Sequence, residues 1–178
     1  MRSIAVKRLA FAAVAAALAA VFLALTGILP AARIAFLTVS GLFPFTADLV
    51  LGRRYSVPAF FAGGILGFLF GAGYAGGLCY LLLFGSYPIF RNLLAGKLPG
   101  KKALSVILKL LWFNAVFAIL AVLARNWLLP GTEESFTPLA VFLALLAGNA
   151  AFLVYDLMIG LAAGWIFRRF DRFFRPFF

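Results

Sequence analysis

Histidine is missing from this sequence, and cysteine occurs once, as Cys79. Without histidine the commonest metal ligand and the usual general base near neutral pH are gone. A lone cysteine supports neither an intrachain disulfide nor a cysteine metal site. Acidic residues are scarce too, with five Asp and Glu against sixteen Lys and Arg. Magnesium-dependent phosphoryl transfer draws on several carboxylates, and only Asp48 and Asp156 fall inside apolar stretches. No glycine-rich phosphate loop of the P-loop type is present either, so any energy from nucleotide hydrolysis has to come from another protein. These absences predict a chain that is not an enzyme and carries no metal and no cofactor.

Apolar residues make up 66% of the 178 positions, charged residues 12%, and mean hydropathy is +1.11. A soluble domain has about half apolar and a quarter charged residues. The composition therefore predicts an all-α fold, a polytopic integral membrane protein with about six transmembrane helices in one bundle, forming a single domain over residues 1–178. A formal charge of +11 on a soluble protein would suggest nucleic acid. Here the basic residues stand at the ends of apolar runs, as orientation in a membrane requires, so the expected partner is a lipid bilayer and not nucleic acid. The basic start followed by an alanine-rich run imitates a signal peptide. Its apolar part, about 20 residues, is long enough to span, so it is read as a retained first helix.

Six spans are expected at 8–29, 34–51, 57–72, 78–94, 104–129 and 138–168. The first ends at Pro30, which does not continue a helix comfortably. Gly41 and Pro44 interrupt the second and predict a kinked or partly unwound segment. The third carries Gly63, Gly67 and Gly71 four apart, a ridge that lets a neighbouring helix come close. Gly73 to Gly77 is read as the turn into the fourth span, where Pro88 leaves the carbonyl one turn earlier without its helical donor. The sixth span exceeds a 30 Å hydrocarbon core and is expected to tilt or project. With six crossings, all but two of the sixteen basic residues fall on the side of the termini, leaving Arg33 and Arg125 opposite. The positive-inside rule then places both termini in the cytoplasm of a bacterial plasma-membrane protein.

Asp156 is the residue that most needs an explanation. A carboxylate inside a membrane helix costs roughly 2.5 to 3.5 kcal/mol on insertion scales and needs compensation within the bundle. The candidate buried polar network is Arg91, Asn92, Lys109, Asn114, Tyr155 and Asp156, with Tyr87 at similar depth. A structural ion pair is the simpler reading of Asp156, and proton loading at a poorly solvated carboxylate is the alternative. Asp48 is read as interfacial and paired with Arg53 or Arg54. In the outer half, Arg33, Tyr74, Tyr80, Asn126, Trp127 and Asn149, with Arg125 nearby, combine aromatic area with directional donors and form the candidate binding site for a small-molecule substrate. Trp127 and Tyr74 also suit the aromatic belt at a membrane interface.

Lys7, Arg8, Leu9 and Ala10 open an alanine-rich helix with small residues four apart, followed by a proline stop and a glycine-rich third helix. In this organisation the chain resembles the substrate-binding S components of energy-coupling factor transporters. The resemblance implies an external pocket for a vitamin or other small metabolite, a transmembrane coupling protein and cytoplasmic ATPases as partners, and Ala12, Ala16 and Ala20 as docking residues. The segments 87–92 and 149–156 are similar as well to a widespread family of six-helix bacterial membrane proteins with no assigned role. Two further roles remain open from the residues alone: a structural or assembly protein of the membrane, and a self-contained proton-coupled carrier using Asp156.

Overall fold

The computed structural model describes residues 2–70, 73–123 and 138–174, and the side chains of all of these except 2, 3, 30, 74, 138, 167 and 169–174. Every regular element among the described residues is helical. Helix α1, Arg2–Ile28, is built largely of alanine, the best helix former, and stops just before Pro30. A 3-10 turn leads into α2, Arg33–Leu51. Gly52 alone separates α2 from α3, Arg53–Leu69. Its φ of 83° is a backbone conformation that glycine adopts without strain, so the chain reverses there in one residue.

The remaining passes follow the same alternation. α4, Gly73–Cys79, continues through a π turn at Tyr80–Phe84 into α5, Ser86–Lys97, and together they run back along α3. α6, Lys102–Leu123, leaves through a short turn, and α7, Pro138–Phe174, returns beside it. Five helical stretches are long and apolar enough to cross a membrane: Ile4–Ile28, Arg33–Leu51, Ala75–Lys97, Lys102–Leu123 and Leu139–Ile166. α3, with 17 residues, rises about 26 Å and is not among them. Because successive passes alternate, Lys7, Arg8, Arg53, Arg54, Lys97, Lys101, Lys102 and Arg168 gather at one end. Arg33 alone among the described Lys and Arg stands at the other.

Two kinds of packing hold the helices. In the α1–α3 layer backbones approach closely: a Cβ added at Gly63 would lie 3.0 Å from the Ala19 methyl and 3.1 Å from the Ala16 carbonyl. Leu23, Leu37, Phe60, Tyr80 and Ile89 make the core that joins this layer to α4 and α5. On the other side Phe45, Tyr87, Phe113, Phe152 and Ile159 make a second core among α2, α5, α6 and α7. Of the buried positions of α2, Leu37, Ser40, Gly41, Pro44, Phe45, Ala47 and Asp48 recur at three and four and line one helix face, with Val50 at its side. The outward faces of α6 and α7 are apolar, with Leu111, Leu146, Leu157 and Trp165 each more than half exposed.

Three local expectations are corrected. Residues 73–77 are helix, because Gly73 itself takes the positive φ that starts α4. The third helix begins at Arg53 and ends at Leu69, earlier at both ends than residues 57–72, because Gly52 supplies the turn. α2 runs unbroken through Gly41 and Pro44, so Gly41 is not a hinge. It is a contact: a Cβ there would overlap the backbone carbonyl oxygen of Phe84. α7 extends to Phe174, and its 37 residues rise about 55 Å, well beyond the 30 Å of a hydrocarbon core.

Gly41→Ala is expected to lower stability by about 1–3 kcal/mol, because backbone and not a flexible side chain has to move. Gly52→Ala, which meets nothing within 4 Å and pays only for a φ of 83° at ψ 171°, should cost about 1–3 kcal/mol. Thermal unfolding of the two variants in the same detergent, together with a check that both remain monodisperse, measures the difference.

Candidate functional site

α5 carries Tyr87 and Arg91 one turn apart, so both side chains leave the same helix face. They meet the carboxylate of Asp156 on α7, which Lys109 reaches from α6. Tyr87 Oη donates to Asp156 Oδ1 at 2.6 Å, Arg91 Nε to the same oxygen at 2.7 Å, and Lys109 Nζ to Oδ2 at 2.8 Å. Side-chain exposures of 23% for Arg91, 14% for Lys109 and 18% for Asp156 leave the pairs largely shielded. Charge-assisted bonds of this length are the strong ones, and shielding from water strengthens them. Two cations face one carboxylate, so the node keeps a formal positive charge. Gly160, one turn beyond Asp156, makes the room: a Cβ there would come within 2.6 Å of the Arg91 guanidinium.

The predicted network therefore divides into separate nodes. Asn92, next to Arg91, turns to Asp48 on α2, and its Nδ2 donates to Oδ2 at 2.6 Å. Ser56 Oγ donates to Asp48 Oδ1 at 2.8 Å. Asp48 is buried, and its hydrogen-bond partners are these neutral donors, which corrects the expected pairing with Arg53 or Arg54. Ser56 was not foreseen. The signal for it is the one-residue turn at Gly52, which brings positions four before and four after it side by side. Consecutive residues of α5 hold the two carboxylates, so Asp48 and Asp156 lie at similar depth, where the sequence suggested different levels.

Asn114 and Asn149 do not touch Asp156. They pair reciprocally, each Nδ2 donating to the other's Oδ1 at 3.1 Å and to the carbonyl four residues earlier on its own helix at 2.8 Å. Tyr155 donates to the Phe84 carbonyl at 3.2 Å. That carbonyl is the one Pro88 cannot serve, and Gly85 N–H instead closes the π turn onto Tyr80 O at 2.8 Å. The Trp112 ring stacks on Phe90 with centroids 4.4 Å apart, and its buried Nε1 meets no acceptor among the described residues.

The residues expected to bind a substrate are not gathered by the described structure. Tyr80 is fully buried and donates to Phe60 O at 3.4 Å. Arg33 Nε donates to Thr26 O at the end of α1, and Asn149 is engaged by Asn114. The Tyr74 side chain, Arg125, Asn126 and Trp127 lie outside the described residues. Ala12, Ala16 and Ala20 are buried, each no more than 8% exposed. Ala12 and Ala16 nonetheless form the floor of an open groove of about 370 Å³ between α1 and α3. Ala13, Pro58 and Ala62 form its walls, and Arg54 and Tyr55 stand at its basic end. Among the described residues no three His, Cys, Asp or Glu come together. Comparison with protein-family models, curated proteins and solved structures finds no match to this chain.

Asp156→Asn removes the one negative charge facing Arg91 and Lys109. It is expected to cost roughly 3 kcal/mol, the low end for stripping one partner from a buried pair, since the groups keep some access to water. Adding Lys109→Met to that variant should restore part of the loss. Equal stability of the single and double variants by thermal unfolding would show that the two cations do not depend on this carboxylate.

Proposed function

We propose that the chain is a bacterial plasma-membrane protein that crosses the bilayer six times, with both termini in the cytoplasm. In this reading it is the substrate-capturing subunit of an ATP-driven uptake assembly for a vitamin or other small metabolite. A transmembrane coupling protein and cytoplasmic ATPases provide the energy. Support for the six crossings comes from the alternation of the helices, with α3 as the short pass, and from the gathering of basic residues at one end. A 26 Å helix fits a thicker bilayer at modest cost by local thinning.

The observation that carries the partnership is the groove between α1 and α3. In lipid, helices associate where small residues allow backbones to approach. α1 already uses Ala12, Ala16 and Ala19 against its own chain, yet Ala13 and Ala17 beside them remain exposed, and Ala62 is exposed across the groove. A transmembrane helix of the coupling protein seats there, with Ala12 and Ala16 beneath it and Ala13 and Ala62 at its sides. An architectural role is the second reading, favoured by the fact that Asp156, Asp48, Asn149 and Tyr80 all have their hydrogen bonds met within the chain. A carrier that loads a proton at Asp156 is the third.

Filling the groove separates these. Ala13→Leu and Ala62→Leu lie on exposed surface, so the thermal midpoint should hold. Recovery of a P-loop ATPase with the tagged chain should fall about tenfold, equivalent to 1.4 kcal/mol at the interface. ATP-dependent uptake should fall with it. A chain that purifies alone from its native membrane, with and without these substitutions, would contradict the transport reading. Asp156→Asn then divides the others: lost folding favours the architectural role, whereas a folded variant that no longer takes up substrate along a pH gradient favours the carrier.

A further inference from the structure

The turn between α5 and α6 borders a second cavity, as open as the groove, of about 310 Å³, at the basic end of the bundle. Leu98, Gly100, Lys101, Lys102, Ser105, Val106 and Lys109 line it, and no carboxylate is among them. We infer that this cavity binds the phosphate of an anionic lipid headgroup. The inference rests on the membrane-spanning reading above and not on the transport reading.

Lys109 is the residue that makes the cavity more than a basic surface. Its Nζ is fixed by the Asp156 carboxylate at 2.8 Å, and an ammonium has two further donors to offer. Arg91 already supplies a cation to the same carboxylate, so Lys109 is not fully neutralised by it. Lys109 is thus a partly buried member of the lining, while Lys101 and Lys102 are exposed and Ser105, one turn from both Lys101 and Lys109, adds a hydroxyl. Three cations and a hydroxyl around one opening suit a phosphate, which accepts through several oxygens at once. A lipid fits better than a free ion because, in the membrane-spanning reading, the cavity lies at the end of the spans, at the level of the headgroups. Val106, 42% exposed, adds an apolar side chain to the lining.

The test uses the full chain in detergent, with lipids titrated and bound species counted by native mass spectrometry. Phosphatidylglycerol should be retained over phosphatidylcholine. Lys101→Ala with Lys102→Ala should weaken phosphatidylglycerol binding by about tenfold or more, since each change removes a charge-assisted hydrogen bond to the phosphate. Both side chains are exposed, so folding is not at stake. Arg53→Ala with Arg54→Ala removes the same charge at the same end but outside the cavity, and should leave binding within about twofold. An equal loss in that control would overturn the site in favour of a diffuse basic surface. Displacement of phosphatidylglycerol by millimolar inorganic phosphate, with an equal rise in thermal midpoint from phosphate alone, would overturn the lipid in favour of a free anion. Equal retention of the two lipids would overturn the proposal outright.

Discussion

A carboxylate held among apolar helices constrains everything around it. Asp156 has no means of shedding its charge into water except through neighbours, and moving a carboxylate-sized ion into such a medium costs several kcal/mol even after relaxation. Its two oxygens are therefore taken by three donors from two other helices, Tyr87 and Arg91 of α5 and Lys109 of α6. Apolar side chains discriminate poorly among apolar partners, so packing alone leaves the register of α6 and α7 loosely determined. Sliding α7 by one residue would break all three bonds together. The node thus sets the register of the weakly buried α6–α7 pair against the rest of the molecule, and the Asn114–Asn149 pair repeats the constraint farther along the same two helices.

α1 to α3 solve the same problem with shape. Alanine and glycine remove side chains from the contact, so backbones approach until van der Waals attraction and weak polar contacts suffice. Between the two regimes lies one backbone carbonyl. Pro88 removes the N–H that would have bonded to Phe84 O, and the chain widens into a π turn over Tyr80–Phe84. The exposed oxygen then packs against the Cα of Gly41 on one side and accepts from Tyr155 on the other. A single proline thus accounts for a glycine on α2 and a tyrosine on α7.

Much of this was legible in the residues. Lopsided lysine and arginine placement, apolar run lengths and the intramembrane carboxylate were enough to expect helices in alternation and to name Arg91, Lys109 and Tyr87 as the groups within reach of Asp156. The carbonyl freed by Pro88 could also be read. What could not be read was which polar group served which. Asn92 and Arg91 are neighbours in sequence and turn to different carboxylates, a choice made by the angle between α2, α5 and α7 and by no property of the residues themselves. Gly41 was misread because glycine in a helix signals either flexibility or a close neighbour, and only the neighbour's position distinguishes them. For Asp48, the adjacent arginines suggested an ion pair, yet burial beside Ser56 and Asn92 puts the carboxylate out of line with side chains that start at the surface.

Lys109 joins the interior to the basic end. Its ammonium holds Asp156, and its side chain lines the cavity beneath the α5–α6 turn. Charge entering that cavity is therefore felt at the carboxylate that positions three helices. An ammonium drawn outward weakens its bond to Asp156, but Arg91 and Tyr87 remain on the other oxygen, so the carboxylate is never left unpaired. With two cations on one acid, the bundle tolerates partial diversion of one of them, which a simple one-to-one ion pair would not. The node thus keeps a surplus positive charge that a balanced pair would lack.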